Sequence, residues 1–180
     1  MTERETVALY ETTGALMRGH FKLTSGLHSD VYLQSALVLQ YPAHAATLGA
    51  ALAAPFGGDA VSVVVAPAIG GILVAHEVAR ALGARALFSE RENGVMRLRR
   101  GFALARGERC VVVEDVITTG GSASRAVEAL RREGIIPVGI LALVDRQEGG
   151  REALEALGLP VLSLATAQDI IPLIKASASA

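Results

Sequence analysis

A chain of 180 residues, 51% apolar and 19% charged, has the composition of one core-forming domain, which excludes a disordered protein. Its formal charge of −1 gives no global attraction for nucleic acid or an anionic membrane, so any polyanion site must be local. The single cysteine, Cys110, allows no internal disulfide, and the charged start MTERETVALYE lacks the apolar stretch of a secretory signal. The uncharged run Ala60–Ala75 is broken by Pro67, Gly70 and Gly71 and falls short of the roughly 20 apolar residues of a membrane helix. A cytoplasmic protein with neither nucleic acid nor membrane as partner is expected.

In chain order, Thr2 and Glu5 have capping-box spacing, and Val7, Leu9, Tyr10, Ala15 and Leu16 share an apolar stripe. This predicts an opening helix ended by Gly19. The runs FKL and VYLQ, on either side of TSGLHSD, read as strand, loop, strand. From Pro42 the pattern predicts helix Ala43–Ala53, strand Val61–Ala66, helix Gly71–Leu82, strand Ala86–Phe88 and a polar insertion. Strand Arg109–Glu114, helix Ser124–Glu133, strand Val138–Val144, helix Arg151–Leu157, strand Val161–Leu164 and a short last helix follow, before the small-residue tail KASASA. Continuous apolar strands alternating with helices predict a doubly wound α/β fold, its mainly parallel sheet covered on both faces. One domain is expected over 1–180, with an N-terminal helix and small hood at 1–41, the α/β core at 42–165 and a C-terminal helix and tail at 166–180.

Ligands of such sheets bind beyond the carboxyl ends of the strands, where APAIGG, EDVITTGGS and VDRQEGG fall. Thr118, Thr119, Gly120, Gly121 and Ser122 stand between a buried strand and a helix, so their N–H groups and hydroxyls gather at the positive end of a helix dipole. That is a phosphate cradle. It lacks the Gly-Lys-Thr/Ser ending of a Walker loop and the Gly-x-Gly-x-x-Gly of a dinucleotide fold. Glu114 and Asp115 would repel a phosphate set against them but accept hydrogen bonds from hydroxyls a few ångströms away. The combination suits a ribose 5-phosphate; the competing structural reading is a glycine-rich turn with solvated acids.

VVVEDVITTGGS, Val111–Ser122, resembles the signature of the type I phosphoribosyltransferases, which bind 5-phosphoribosyl 1-diphosphate (PRPP) with magnesium. The resemblance implies that Glu114 and Asp115 hold the ribose hydroxyls and that the segment Val116, Ile117, Thr118, Thr119, Gly120, Gly121, Ser122 surrounds the 5-phosphate. By position, Ala68, Ile69, Gly70 and Gly71 match the pyrophosphate loop, although an ordinary Pro-Gly turn into a helix would read the same. FKLTSGLHSDVYLQ, Phe21–Gln34, is similar to the base-hood segment of orotate phosphoribosyltransferases, and LVDRQEGG, Leu143–Gly150, to their Asp-Arg segment. The family resemblance therefore covers roughly Phe21–Gly150. It implies transfer of ribose 5-phosphate from PRPP to N1 of orotate, giving orotidine 5-monophosphate and pyrophosphate in UMP biosynthesis, by a homodimer with shared active sites. Arg146 would clamp the orotate carboxylate in bidentate fashion, with Tyr32 and Thr118 at the base; a surface ion pair with Asp145 or Glu148 is its alternative.

FSERENGVMRLRRGF, Phe88–Phe102, carries an Asn93-Gly94 turn signal flanked by alternating side chains, which predicts a β-ribbon lid. In the resembled family the lid supplies cations to the pyrophosphate. Arg91 matches one basic position; Arg97, Arg99 and Arg100 do not carry over residue by residue. Asp115, Arg91 and Arg97 form the expected catalytic set. Thr24 and Gly70 stand where the family commonly has lysines. His20, His28, His44 and His76 show no metal-ligand spacing, so magnesium is expected to enter with PRPP and no protein ligand is assigned. A purine phosphoribosyltransferase and a non-catalytic PRPP-binding regulator are the alternative readings; the first gains nothing from Arg146 or the Phe21–Gln34 segment, and the second usually adds a nucleic-acid-binding module or loses the lid's cations, neither of which this sequence shows.

Overall fold

The computed structural model describes residues 1–22 and 28–169. Helix α1 spans Glu3–Thr12 and opens on the predicted capping box, the Thr2 side chain accepting from the Glu5 N–H and Glu5 accepting from the Thr2 N–H. It stops at Thr12 rather than at Gly19, because Gly14 takes a positive φ of 70° and turns the chain into strand β1, Leu16–Lys22. Ala15 and Leu16 are thus outside the helix. β1 pairs antiparallel with β2, His28–Leu33, as the strand–loop–strand reading expects, while residues 23–27 between them, Thr24 included, lie outside the described residues.

Helix α2, Ser35–Leu39, has no counterpart in the sequence reading; it is five residues long and carries no side-chain cap. Tyr10 of α1 and Ser35 share a buried hydrogen bond of 2.8 Å that ties it to the opening helix. Helix α3, Pro42–Ala53, leads through a short 3-10 turn to the core sheet. That sheet comprises β3 (Val63–Pro67), β4 (Arg85–Glu92), β5 (Val95–Leu98), β6 (Arg109–Ile117), β7 (Ile136–Asp145) and β8 (Val161–Thr166) in the order β5-β4-β3-β6-β7-β8. All neighbours are parallel except β4 and β5. Helices α4 (Ile72–Leu82), α5 (Gly121–Arg132) and α6 (Gly150–Glu155) complete the chain of elements. The last predicted helix falls largely outside the described residues.

The apolar continuity of the strands has its cause in two half-cores. Val64, Ala66, Val111, Val113, Leu141 and Leu143 pack toward α3 and α4, whereas Val63, Val65, Cys110, Val112, Ile140 and Ala142 pack toward α5 and α6. Both sets are essentially water-free. Burial also pushes the Cys110 thiol up to about 12, so it stays protonated and unreactive. Among the described residues no helix is long and apolar enough to cross a membrane.

The order of strands creates a switch point: the connection leaving β3 goes to α4 on one face, and the connection leaving the adjacent β6 goes to α5 on the other. The carboxyl ends of these two strands therefore part and leave a crevice between their loops.

Candidate active site

A cleft of about 420 Å³ occupies that crevice. It brings together Ala68 and Gly70 from the loop after β3, Glu114 to Ile117 at the end of β6, Thr118 to Ser122 in the following loop, and Arg91 from the ribbon. Most of the predicted donor-side residues thus meet at one place. Ile69 is highly exposed beside the cleft, and Gly71 is buried against the Val113 carbonyl, where a Cβ would stand 2.7 Å from the oxygen.

The adjacent acids approach the cleft from different sides. Side-chain alternation places Val112 in the α5-side core and Val113 in the α4-side core, so Glu114 follows toward α5, where the Arg125 charge acts on it. Asp115 lies against the loop after β3: a Cβ on Gly70 would sit 2.6 Å from both of its carboxylate oxygens. Gly70, noted above as a departure from the lysine common in the resembled family, is the residue this close approach admits.

Burial first, and the Asp115 charge second, push the Glu114 carboxyl up to about 8, against the opposing pull of Arg125. Asp115 is also raised by burial, opposed by hydrogen bonds from its own N–H and that of Val116. A raised carboxyl holds its proton better in the folded than in the unfolded chain. Its contribution to stability is full below the ordinary 4.5 and is lost as pH rises toward about 8. Glu114→Gln removes this loss. The variant should be more stable than the parent above pH 8, by on the order of 1–3 kcal/mol, with the difference closing as pH falls toward the ordinary carboxylate range. Melting curves of both proteins across this span check it; a pH-independent difference would contradict the assignment.

The loop after β6 forms as its sequence requires. Gly120 takes a φ of 74° immediately ahead of α5, a backbone that side-chain-bearing residues rarely adopt. The helix has no side-chain N-cap, which leaves its first N–H groups turned to the cleft. Behind the loop stands Gly150, at the start of α6, in backbone contact with the Thr118 carbonyl.

Of the expected acceptor-side residues, Thr118 lines this cleft, whereas Arg146 and Tyr32 do not. Arg146 follows β7, whose end pairs with that of β6, and its N–H donates to the Ile117 carbonyl at 2.9 Å. Its guanidinium is largely buried and pairs with Glu148 at 2.9 Å, one of the two partners the sequence offers. The other, Asp145, is taken by Arg151 at 2.7 Å and by the Gln147 N–H at 2.8 Å. Arg151 also donates to the Val161 carbonyl and to Ser163, which locks the base of the Arg146 loop to β8. Tyr32 sits in β2 and stacks on Phe21 with 5.5 Å between ring centres.

The ribbon has its predicted form. Asn93 and Gly94 both take positive φ, 50° and 82°, between the antiparallel β4 and β5. Its cations divide. Arg91 faces the cleft, while Arg97 lines a separate cavity with Phe102, Leu104 and Arg132. Arg100 makes a two-pronged contact to Glu90 and Arg99 pairs with Glu92. Arg125 is the charged cleft residue that the sequence reading missed; its local sequence does not set it apart from a solvated arginine on a helix face.

The parallel-sheet switch point, its glycine-rich loop and the paired acids fall within residues 57–156, which match the family described as Phosphoribosyl transferase domain and make the chain a phosphoribosyltransferase. Orotate phosphoribosyltransferase of Pelotomaculum thermopropionicum is 55% identical over 168 residues, 93% of this chain and 86% of that protein. The chain belongs to the orotate phosphoribosyltransferase family. The crystal structure of orotate phosphoribosyltransferase from Aeropyrum pernix superposes with a TM-score of 0.80 at 30% identity, covering 94% of this chain and 97% of that one. The Mycobacterium tuberculosis H37Rv orotate phosphoribosyltransferase in complex with PRPP gives a TM-score of 0.72 at 25% identity over 94% and 93% of the two chains.

Proposed function

We propose that the protein transfers the 5-phosphoribosyl group from PRPP to N1 of orotate, and that the cleft between β3 and β6 holds the PRPP. The observation that carries this reading is the convergence of Asp115, Glu114, the 118–122 loop and the Ala68–Gly70 segment on one crevice. The 5-phosphate fits the N–H groups and hydroxyls of Thr118 to Ser122. The ribose hydroxyls fit the Asp115 carboxylate and the Glu114 carboxyl, and the diphosphate fits the loop after β3 with Arg91 above it.

The carbon–nitrogen bond forms at the anomeric carbon as the bond to the diphosphate oxygen breaks, and the electron pair leaves with the diphosphate. Positive charge develops on the ribose beside Asp115 and Glu114. Negative charge develops on the leaving group near Arg91 and the backbone of Ala68 to Gly70, where fixed donors lower the barrier. The cleft's acidic and hydroxyl side chains are hard oxygen donors, which suits a magnesium ion entering with PRPP. When bound, that ion neutralises charge on the diphosphate.

Arg146 is proposed to exchange its Glu148 partner for the orotate carboxylate, with Tyr32 and Thr118 completing the base pocket. Arg97, facing away from the cleft of its own subunit, fits a homodimer in which one ribbon reaches the other subunit's site. The test follows orotate absorbance on mixing protein, orotate, PRPP and magnesium. Rapid loss is expected in the parent. In Arg146→Ala the orotate KM should rise roughly 10- to 100-fold, with the PRPP KM little changed. No absorbance loss in the parent would remove orotate as the acceptor.

A further inference from the structure

Arg125 stands one helical turn into α5, four residues beyond Gly121, where a long side chain naturally runs back toward the helix N-terminus. It does so here: its Nη1 lies 3.3 Å from the position a Cβ on Gly121 would take, so the guanidinium covers the first turn of the helix behind the 118–122 loop. The residue lines the same cleft as that loop and Glu114. Its Nε is buried without a hydrogen-bond acceptor, and among the described residues the side chain makes no ion pair. A buried guanidinium N–H left unsatisfied is costly, and the described residues offer no acceptor for it.

The neighbouring charges say what that acceptor is. Glu114 acts on Arg125 through its field, with no hydrogen bond between the two, and Asp115 is turned to the α4 side. Arg91 enters the cleft from the ribbon. A cation pressed against the helix N-terminus would ordinarily oppose the dipole. An anion seated on that N-terminus reverses the balance, because it satisfies the helix N–H groups and the guanidinium together. Gly121, with no side chain to block the approach, admits both.

We propose that Arg125 binds the 5-phosphate of the ribosyl substrate, adding a charged side chain to a cradle otherwise built of backbone and hydroxyls. This rests on the reading of the cleft as the PRPP site. The test separates the two ends of PRPP. Ribose 5-phosphate and inorganic diphosphate, each measured as a competitor of PRPP and by direct calorimetric binding, report on the 5-phosphate and diphosphate subsites respectively. In Arg125→Gln, binding of ribose 5-phosphate should weaken roughly 10- to 100-fold, as loss of a charge-assisted hydrogen bond predicts. Diphosphate binding should stay within about twofold, and Arg125→Lys should recover part of the ribose 5-phosphate affinity. Unchanged ribose 5-phosphate binding in folded Arg125→Gln, or equal weakening of both ligands, would overturn the role. If the Gln variant does not fold, Arg125→Lys alone decides: diphosphate affinity retained with a measurable loss for ribose 5-phosphate supports the role, and parental affinity for both overturns it. Failure of the parent protein to bind ribose 5-phosphate or PRPP would instead overturn the reading of the cleft.

Discussion

Gly150→Ala should raise the KM for PRPP roughly 10- to 100-fold and lower stability by about 1–3 kcal/mol, the range of an overpacked site. The added Cβ would collide with the Thr118 carbonyl and stand 2.7 Å from Ile117 Cγ2 and 2.8 Å from the Gly120 nitrogen. Gly120 reciprocates: a Cβ there would lie 2.9 Å from the Gly150 carbonyl and 3.0 Å from Leu154 Cγ. Two backbones touch, so no rotamer change relieves the clash, and the 118–120 segment must move. On the proposed reading the N–H groups of that segment are the phosphate donors, and a displacement of a fraction of an ångström detunes all of them. Steady-state kinetics with varied PRPP, paired with calorimetric melting, check both halves. A parental KM in a destabilised variant would show that the cradle is not held from behind by α6.

Asp115→Asn should lower kcat/KM on the order of 100- to 1000-fold, the cost of losing a preorganised charge that acts on the transition state. The substitution preserves shape, which matters because the side chain is hemmed in by Gly70. On the proposed reading it removes the charge that accepts from ribose hydroxyls and faces the developing oxocarbenium. Melting temperature should hold or rise, because burial penalises the carboxylate it replaces. Activity within a factor of two of the parent, measured with saturating magnesium, would take Asp115 out of the chemistry.

Much of this site could be read before any coordinates, because its central part is local in sequence. The β-branched run of β6, the acids at its end and the small residues before α5 are consecutive, and each has one plausible conformation. Alternation of apolar strands and helices announced the parallel sheet, and Asn93-Gly94 announced the ribbon. The misses are tertiary. Helix α1 ends at Thr12 because the chain turns at Gly14 to start β1, not because its apolar stripe runs out. Helix α2 is too short for periodicity to show and is held by Ser35 reaching Tyr10 across 25 positions. The buttress between Gly120 and Gly150 joins residues whose proximity no local pattern records. Arg125 was hidden for another reason: an arginine on a helix face usually means a solvated surface, and only its folding back over Gly121 distinguishes it.

Because the acids are carried by a strand wedged between the two half-cores, the donor end of this site has no independent fate. Warming can loosen the ribbon, whose edge strand β5 has one neighbour, and so slow the enzyme by degrees. The geometry of Glu114 and Asp115 gives no such warning, and it persists until the sheet itself comes apart.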